Sequence, residues 1–100
     1  MLVTAVVEMV TAELEFFDLP FVQKLNGPER FKDLWSVEPT GDWTADNVTG
    51  HAYAEALFTY MADHDAPEVL GSIVGAMIEK GQRSGIEAGF LLAIGARVNQ

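Results

Sequence analysis

The stretch "YMADHDAPEVLG", residues 60–71, gathers His64, Asp63, Asp65 and Glu68 within six positions. These residue types could hold a divalent metal or relay a proton. Their spacing argues for neither. Side chains at i and i+1 on a helix diverge, so Asp63 and His64 do not point at one ion. The other histidine, His51, lies thirteen residues earlier, about 20 Å up a straight helix. Each member of the cluster instead suits a helix boundary. The residue before Pro67 avoids helical backbone, so a helix must stop there. His64 then falls in its last turn, where a partly positive imidazole favours the carbonyl end. Asp65 stands where the next helix wants an N-cap, with Pro67 in the first turn and Glu68 three residues on. No metal site is expected.

Other chemistry is sparse. The chain has no cysteine, which excludes thiolate metal sites, disulfides and cysteine nucleophiles, and fits a reducing compartment. There is no phosphate-binding glycine loop and no H-E-x-x-H pattern. Ser36, Ser72 and Ser84 lie in no nucleophile-elbow pattern, and Ser84 with Glu87 has capping-box spacing. The expectation is a protein that is not an enzyme and carries no cofactor. Tyr53 and Tyr60, seven apart on one helical face with Met61, could line a small-molecule pocket or simply pack in the core. Trp35 and Trp43 flank a Pro/Gly loop; either could clamp it or stand out as an interface anchor.

Charge is the clearest global signal. The net charge is −9. Nine of the fifteen acids fall between Asp33 and Glu79, a window without Lys or Arg, while the remaining six acids meet all six bases outside it. Such a surface repels nucleic acid and anionic membrane. It serves solubility, or it faces a basic partner. On the second reading Asp42, Asp46, Glu55 and Glu68, with Trp43, form the expected partner-binding set.

These residues must be positioned by helices. Val3, Val6, Val7, Val10, Leu14 and Phe17 recur at helical period, predicting a helix over about 2–17. Glu8 interrupts its apolar run well short of a membrane span, and no basic leader or cleavage signal accompanies it. Pro20, Asn26-Gly27 and Pro28 break the next stretch into a short helical turn near 20–25 and a helix over about 28–36. Thr44 is the expected N-cap of a helix over 44–64, stapled by Trp43 against Val48. Leu70, Ile73, Val74, Met77 and Ile78 mark a helix over 67–80, ended by Gly81 in a left-handed cap. Ser84 opens the last helix, over 85–98, which is apolar nearly all round. The prediction is an all-α single domain over residues 1–100, four main helices with a broken helical segment at 20–36.

Glycines supply the last clue. Gly71 and Gly75 are four apart, and Gly85, Gly89 and Ala93 form a matching ridge. Each interior helical glycine costs about 1 kcal/mol relative to alanine, which predicts close backbone approach. Either the helices over 67–80 and 85–98 pack as a tight hairpin, or Gly89, Phe90 and Ala93 meet a second copy in a homodimer.

No motif ties the chain to a family. The expected function is a small acidic, cytoplasmic protein–protein interaction protein, an adaptor or inhibitor that sets its acidic face against a basic partner. Two alternatives stand beside it: a phage-type inhibitor that mimics nucleic acid as a decoy, and a small-molecule-binding helical domain. Neither membrane nor nucleic acid is an expected partner.

Overall fold

A computed structural model of the chain describes residues 18–24 and 32–100. The expected helix over 2–17, and the part of the expected helix over 28–36 that falls before residue 32, lie outside the described residues. Three helices follow in order: α1 (Trp43–His64), α2 (Glu68–Lys80) and α3 (Gly85–Val98). A minimal antiparallel pair, β1 (Gln23–Lys24) and β2 (Lys32–Asp33), sets Gln23 opposite Asp33.

The broken segment is therefore not helical where it is described. Residues 18–21 form a turn and 34–40 run irregularly. Proline and capping-box spacing favour helix there, but burial decides otherwise. Phe21 and Trp35 are both sealed. The pairing of β1 with β2 brings them side by side, with ring centroids 5.4 Å apart, Phe21 in the turn before β1 and Trp35 in the irregular stretch after β2. The Ser36 amide donates to the Phe21 carbonyl at 2.7 Å and closes the pair. These rings stack against Tyr53 of α1 and Phe90 of α3, with Trp35 and Phe90 4.8 Å apart in edge-to-face geometry. Aromatic pairs at such spacing add about 0.5–1.5 kcal/mol each beyond area burial. Leu57, Ile73 and Ile86 complete the sealed core.

The helix boundaries follow from their caps. The N-cap of α1 is Asp42, not Thr44: its carboxylate accepts from the Ala45 amide at 3.2 Å. Trp43 thus becomes the first helical residue, and it and Val48 are both exposed rather than stapled together. At the other end, Asp65 does not cap α2. It sits in left-handed backbone, φ 49°, and its amide donates to the Met61 carbonyl, so it terminates α1. Helix α2 begins after Pro67 with no side-chain cap. Gly81, φ 65°, ends α2 as expected. Ser84 and Glu87 form the expected capping box on α3.

The tightest packing joins α1 to α3, not α2 to α3. A Cβ on Gly50 would stand 2.0 Å from the Ile86 carbonyl oxygen, and one on Gly89 2.1 Å from that of Asn47. Gly85 is as constrained, 2.6 Å from the Trp43 oxygen. At such approach the glycine Cα atoms come within range of weak Cα–H···O contacts. Trp43 lies beside Gly85, Asn47 beside Gly89, and the Arg97 guanidinium lies 4.8 Å over the Phe58 ring, so α1 and α3 run parallel. Helix α2 carries the chain back between them. Among the described residues Gly71 and Gly75, expected to form the other half of a hairpin, meet nothing within 4 Å. The reason is register: α2 buries Ile73 and Met77, and two residues along a helix is roughly the opposite face.

Candidate functional site: an apolar cleft framed by two buried carboxylates

The loop before α1 is organised by one carboxylate. Asp46 is buried, and both its oxygens accept from the Thr40 amide at 3.1 Å. The Thr40 hydroxyl donates to it at 2.8 Å and the Gly41 amide at 3.3 Å. Burial pushes its pKa up, but these donors outweigh it and hold the carboxyl below its ordinary value of 3.8. Gly41, φ 90°, supplies the bend that side chains rarely tolerate. The result is a fixed exit from the loop that sets Trp43 at the head of α1.

A second carboxylate anchors α3. Glu87 Oε2 accepts from Trp35 Nε1 at 2.7 Å and from Gln82 Nε2 at 3.1 Å. Its Oε1 accepts from the Ser84 amide at 2.7 Å and the Ser84 hydroxyl at 2.5 Å. Burial again raises its pKa; the donors, Ser84 and Trp35 foremost, lower it by more. Ser84 Oγ also accepts from the Ile86 amide, so this serine is committed to the cap.

Between these anchors the C-terminal end of α2 and the start of α3 leave an open cleft of about 380 Å³. Trp43, Met77, Ile78, Gly81, Arg83 and Leu91 line it. Trp43 is 61% exposed, Ile78 73% and Leu91 47%. Three large apolar side chains held in water around one concavity can receive an apolar anchor from a partner.

The expected partner-binding residues divide. Trp43 lines this cleft, and Asp42, its neighbour in the chain, is exposed. Glu55 is exposed but about 18 Å further along α1, paired with His51 at 3.9 Å. Glu68 opens α2, at the end of that helix away from the cleft. Asp46 faces inward and positions the loop. The residues expected at an oligomer interface, Gly89, Phe90 and Ala93, are buried within the single chain, against α1 and the aromatic cluster. Tyr53 packs on Phe21, while Tyr60 borders a shallow depression with Leu19 and Pro20.

Sequence reasoning does not single out Ile78 and Leu91 as exposed: it places Ile78 on the apolar stripe of its helix and leaves the nearly all-round apolar last helix either enclosed or meeting a second copy. It saw Glu87 as a cap and not as the partner of Trp35, a pairing across 52 positions that no local pattern reveals. The excess of apolar residues around α3 was the available signal for the exposed surface.

The Asp63–Glu68 cluster sits as boundary geometry dictates. His64 ends α1 with its ring 4.4 Å from that of Tyr60. Among the described residues, no three His, Asp or Glu side chains come together as metal ligands. We expect His64→Gln to cost well under about 1 kcal/mol, as surface substitutions do. Zinc and manganese should leave the wild-type melting temperature unchanged. A metal-dependent rise that vanishes in the variant would overturn this.

No family model, curated protein or solved structure matches this chain.

Proposed function

We propose that the chain works by binding another protein, as a cytoplasmic adaptor or inhibitor, and not by catalysis. The Trp43 cleft takes an apolar side chain from a partner segment, and the surrounding acids select for a basic one. The observation that carries this reading is Trp43 itself, a large aromatic side chain kept in water at the mouth of a cleft by an exposed loop tied to the buried Asp46 carboxylate. Holding it there in advance lowers the ordering cost of association, and aromatic anchors of this kind dominate binding energy at protein interfaces.

Charge around the cleft is mixed, since Arg83 lines it while the chain as a whole carries −9. Asp42 precedes Trp43, and Glu79 follows Ile78; both are exposed. Lys80, near the cleft, is neutralised by Asp33 at 2.6 Å. Cysteine is absent from the chain, which suits a reducing compartment. No helix among the described residues is long and apolar enough to cross a membrane.

The test begins with the partner isolated from the native host and its affinity measured against salt. Association should weaken as ionic strength rises, since exposed charges are screened over about 8 Å at physiological salt. Trp43→Ala should weaken binding roughly thirtyfold, about 2 kcal/mol, without changing the melting temperature. A salt-independent affinity that survives Trp43→Ala would remove both parts of the proposal.

A further inference from the structure

We infer that the outer face of α3 is the seam of a two-fold homodimer in which the two α3 helices lie antiparallel. This goes beyond the partner cleft and uses the neighbouring face of the helix, the two meeting at Ala88 and Leu91.

Helix α3 buries Ile86, Gly89, Phe90 and Ala93 against its own chain. That satisfies the core. A second apolar face remains: Ala88, Leu91, Gly95 and Val98, with Leu92 alongside. These residues line one shallow groove, and Leu92 and Val98 are more exposed than Leu91. The spacing is three, four, three, the seam period of paired helices. Among the described residues Gly95 meets nothing within 4 Å, unlike Gly85 and Gly89, so the packing of those residues gives no reason for it.

Two features select a second copy as the occupant. The first is the order of sizes along the seam, small-large-small-large. Turned through a two-fold axis near residue 93, that order meets its own complement: Ala88 falls opposite Val98 of the partner subunit, and Leu91 opposite the partner's Gly95. Every small residue faces a large one. A parallel pair would set glycine on glycine and leucine on leucine, leaving voids beside clashes. An isologous contact of this kind closes on itself. The second feature is charge. A chain of net charge −9 repels its copy over most of its surface. The seam carries no ionisable side chain. The two charges on α3 are turned away from it: Glu87 into the core and Arg97 over Phe58.

The experiment is sedimentation and light scattering of the full chain over a dilution series, joined to thiol cross-linking. The wild type should be a dimer that dissociates on dilution. Leu92→Glu should raise the dissociation constant roughly a hundredfold or more, by setting an unpaired carboxylate in an apolar contact, with helical circular dichroism retained. Val98→Lys, at the solvent-exposed end of α3, should do the same and serves if Leu92→Glu fails to fold. Because the chain has no cysteine, an equimolar mixture of Leu91→Cys and Gly95→Cys proteins reads the pairing directly. Mixed disulfides should exceed either self-linked product. Predominance of the two self-linked products would overturn the antiparallel seam. A wild type that is monomeric at every concentration would overturn the dimer and show the face to be covered by other residues of this chain or by another protein. Ala88 and Leu91 border both sites, so the two variants that weaken the dimer, Leu92→Glu and Val98→Lys, avoid them. A monomer that still loses its partner on Trp43→Ala sinks only the seam; a dimer indifferent to Trp43→Ala sinks only the cleft.

Discussion

Gly50→Ala is expected to bring the protein close to unfolding. The added methyl would stand 2.0 Å from the Ile86 oxygen, 2.7 Å from the Phe90 nitrogen and 2.9 Å from the Ile86 carbon. All three are backbone atoms, so no rotamer change relieves the overlap. Helices α1 and α3 must move apart along their whole contact, which also opens the Asn47–Gly89 approach and the packing of Phe90 on Trp35. Overpacking of this kind costs about 3 kcal/mol or more, against a total stability of roughly 5–15 kcal/mol for a domain of this size. The melting temperature should fall by about 12 °C or more. Gly75→Ala is the matched control. It adds the same methyl into open space on a helix and should stabilise by about 0.5–1 kcal/mol. Thermal melts of the two variants should therefore move in opposite directions. A Gly50→Ala protein that melts with the wild type would mean that the helices are not in close contact.

Glu87→Ala should be comparably damaging, for a different reason. It leaves Trp35 Nε1 buried with no acceptor, along with the Gln82 amide and the Ser84 amide and hydroxyl. Orphaning a buried donor costs about 1–3 kcal/mol and losing half a capping box about 1 kcal/mol more, so a loss of roughly 2–4 kcal/mol is expected. The same site sets the acid limit. Its hydrogen bonds outweigh burial and leave Glu87 with a folded-state pKa below its ordinary 4.5. A carboxylate depressed on folding contributes stability that is complete above the unfolded value and lost as pH falls through the folded one. Asp46 acts in the same sense from an ordinary value of 3.8. Stability should therefore be level near neutrality and decline as pH drops below about 4.5. Glu87→Gln, which cannot ionise, should be less stable at neutral pH and show a shallower acid decline. A wild type whose stability rises on acidification through this range would contradict the arrangement.

The last three helices were legible because their signals are local. Expected at 44–64, 67–80 and 85–98, they occur at Trp43–His64, Glu68–Lys80 and Gly85–Val98. Gly81 and the Ser84–Glu87 box act within a turn of their own positions, and tertiary packing does not disturb them. What failed was the choice of which helix packs against which, although inward positions such as Trp35, Leu57, Ile73 and Met77 are buried. The small-residue spacing correctly flagged Gly85 and Gly89, but a spacing names no partner. The chain neighbour α2 was the natural guess, while the true partner is α1 through Gly50, which sits between Thr49 and His51 without any periodic signature. The segment near 20–36 failed because Pro and Asn-Gly describe only backbone preference, and the joint burial of Phe21 and Trp35 overrides it. Asp46 and Asp42 look alike as charges. Only the fold distinguishes them, turning one carboxylate onto Thr40 and leaving the other as the exposed N-cap of α1.

The two tryptophans give the protein a pair of independent optical reporters. Trp35 is 1% exposed, ringed by Phe21, Tyr53 and Phe90, and bonded to a carboxylate. Its emission belongs to an apolar cage and is hidden from iodide or acrylamide. Trp43 emits from water and is open to both quenchers. Collapse of the fold would shift the first signal and leave the second nearly where it was. Occupation of the cleft would shield the second and leave the first untouched. One emission spectrum, recorded with and without quencher, thus separates loss of structure from engagement of a partner without any label attached to the chain.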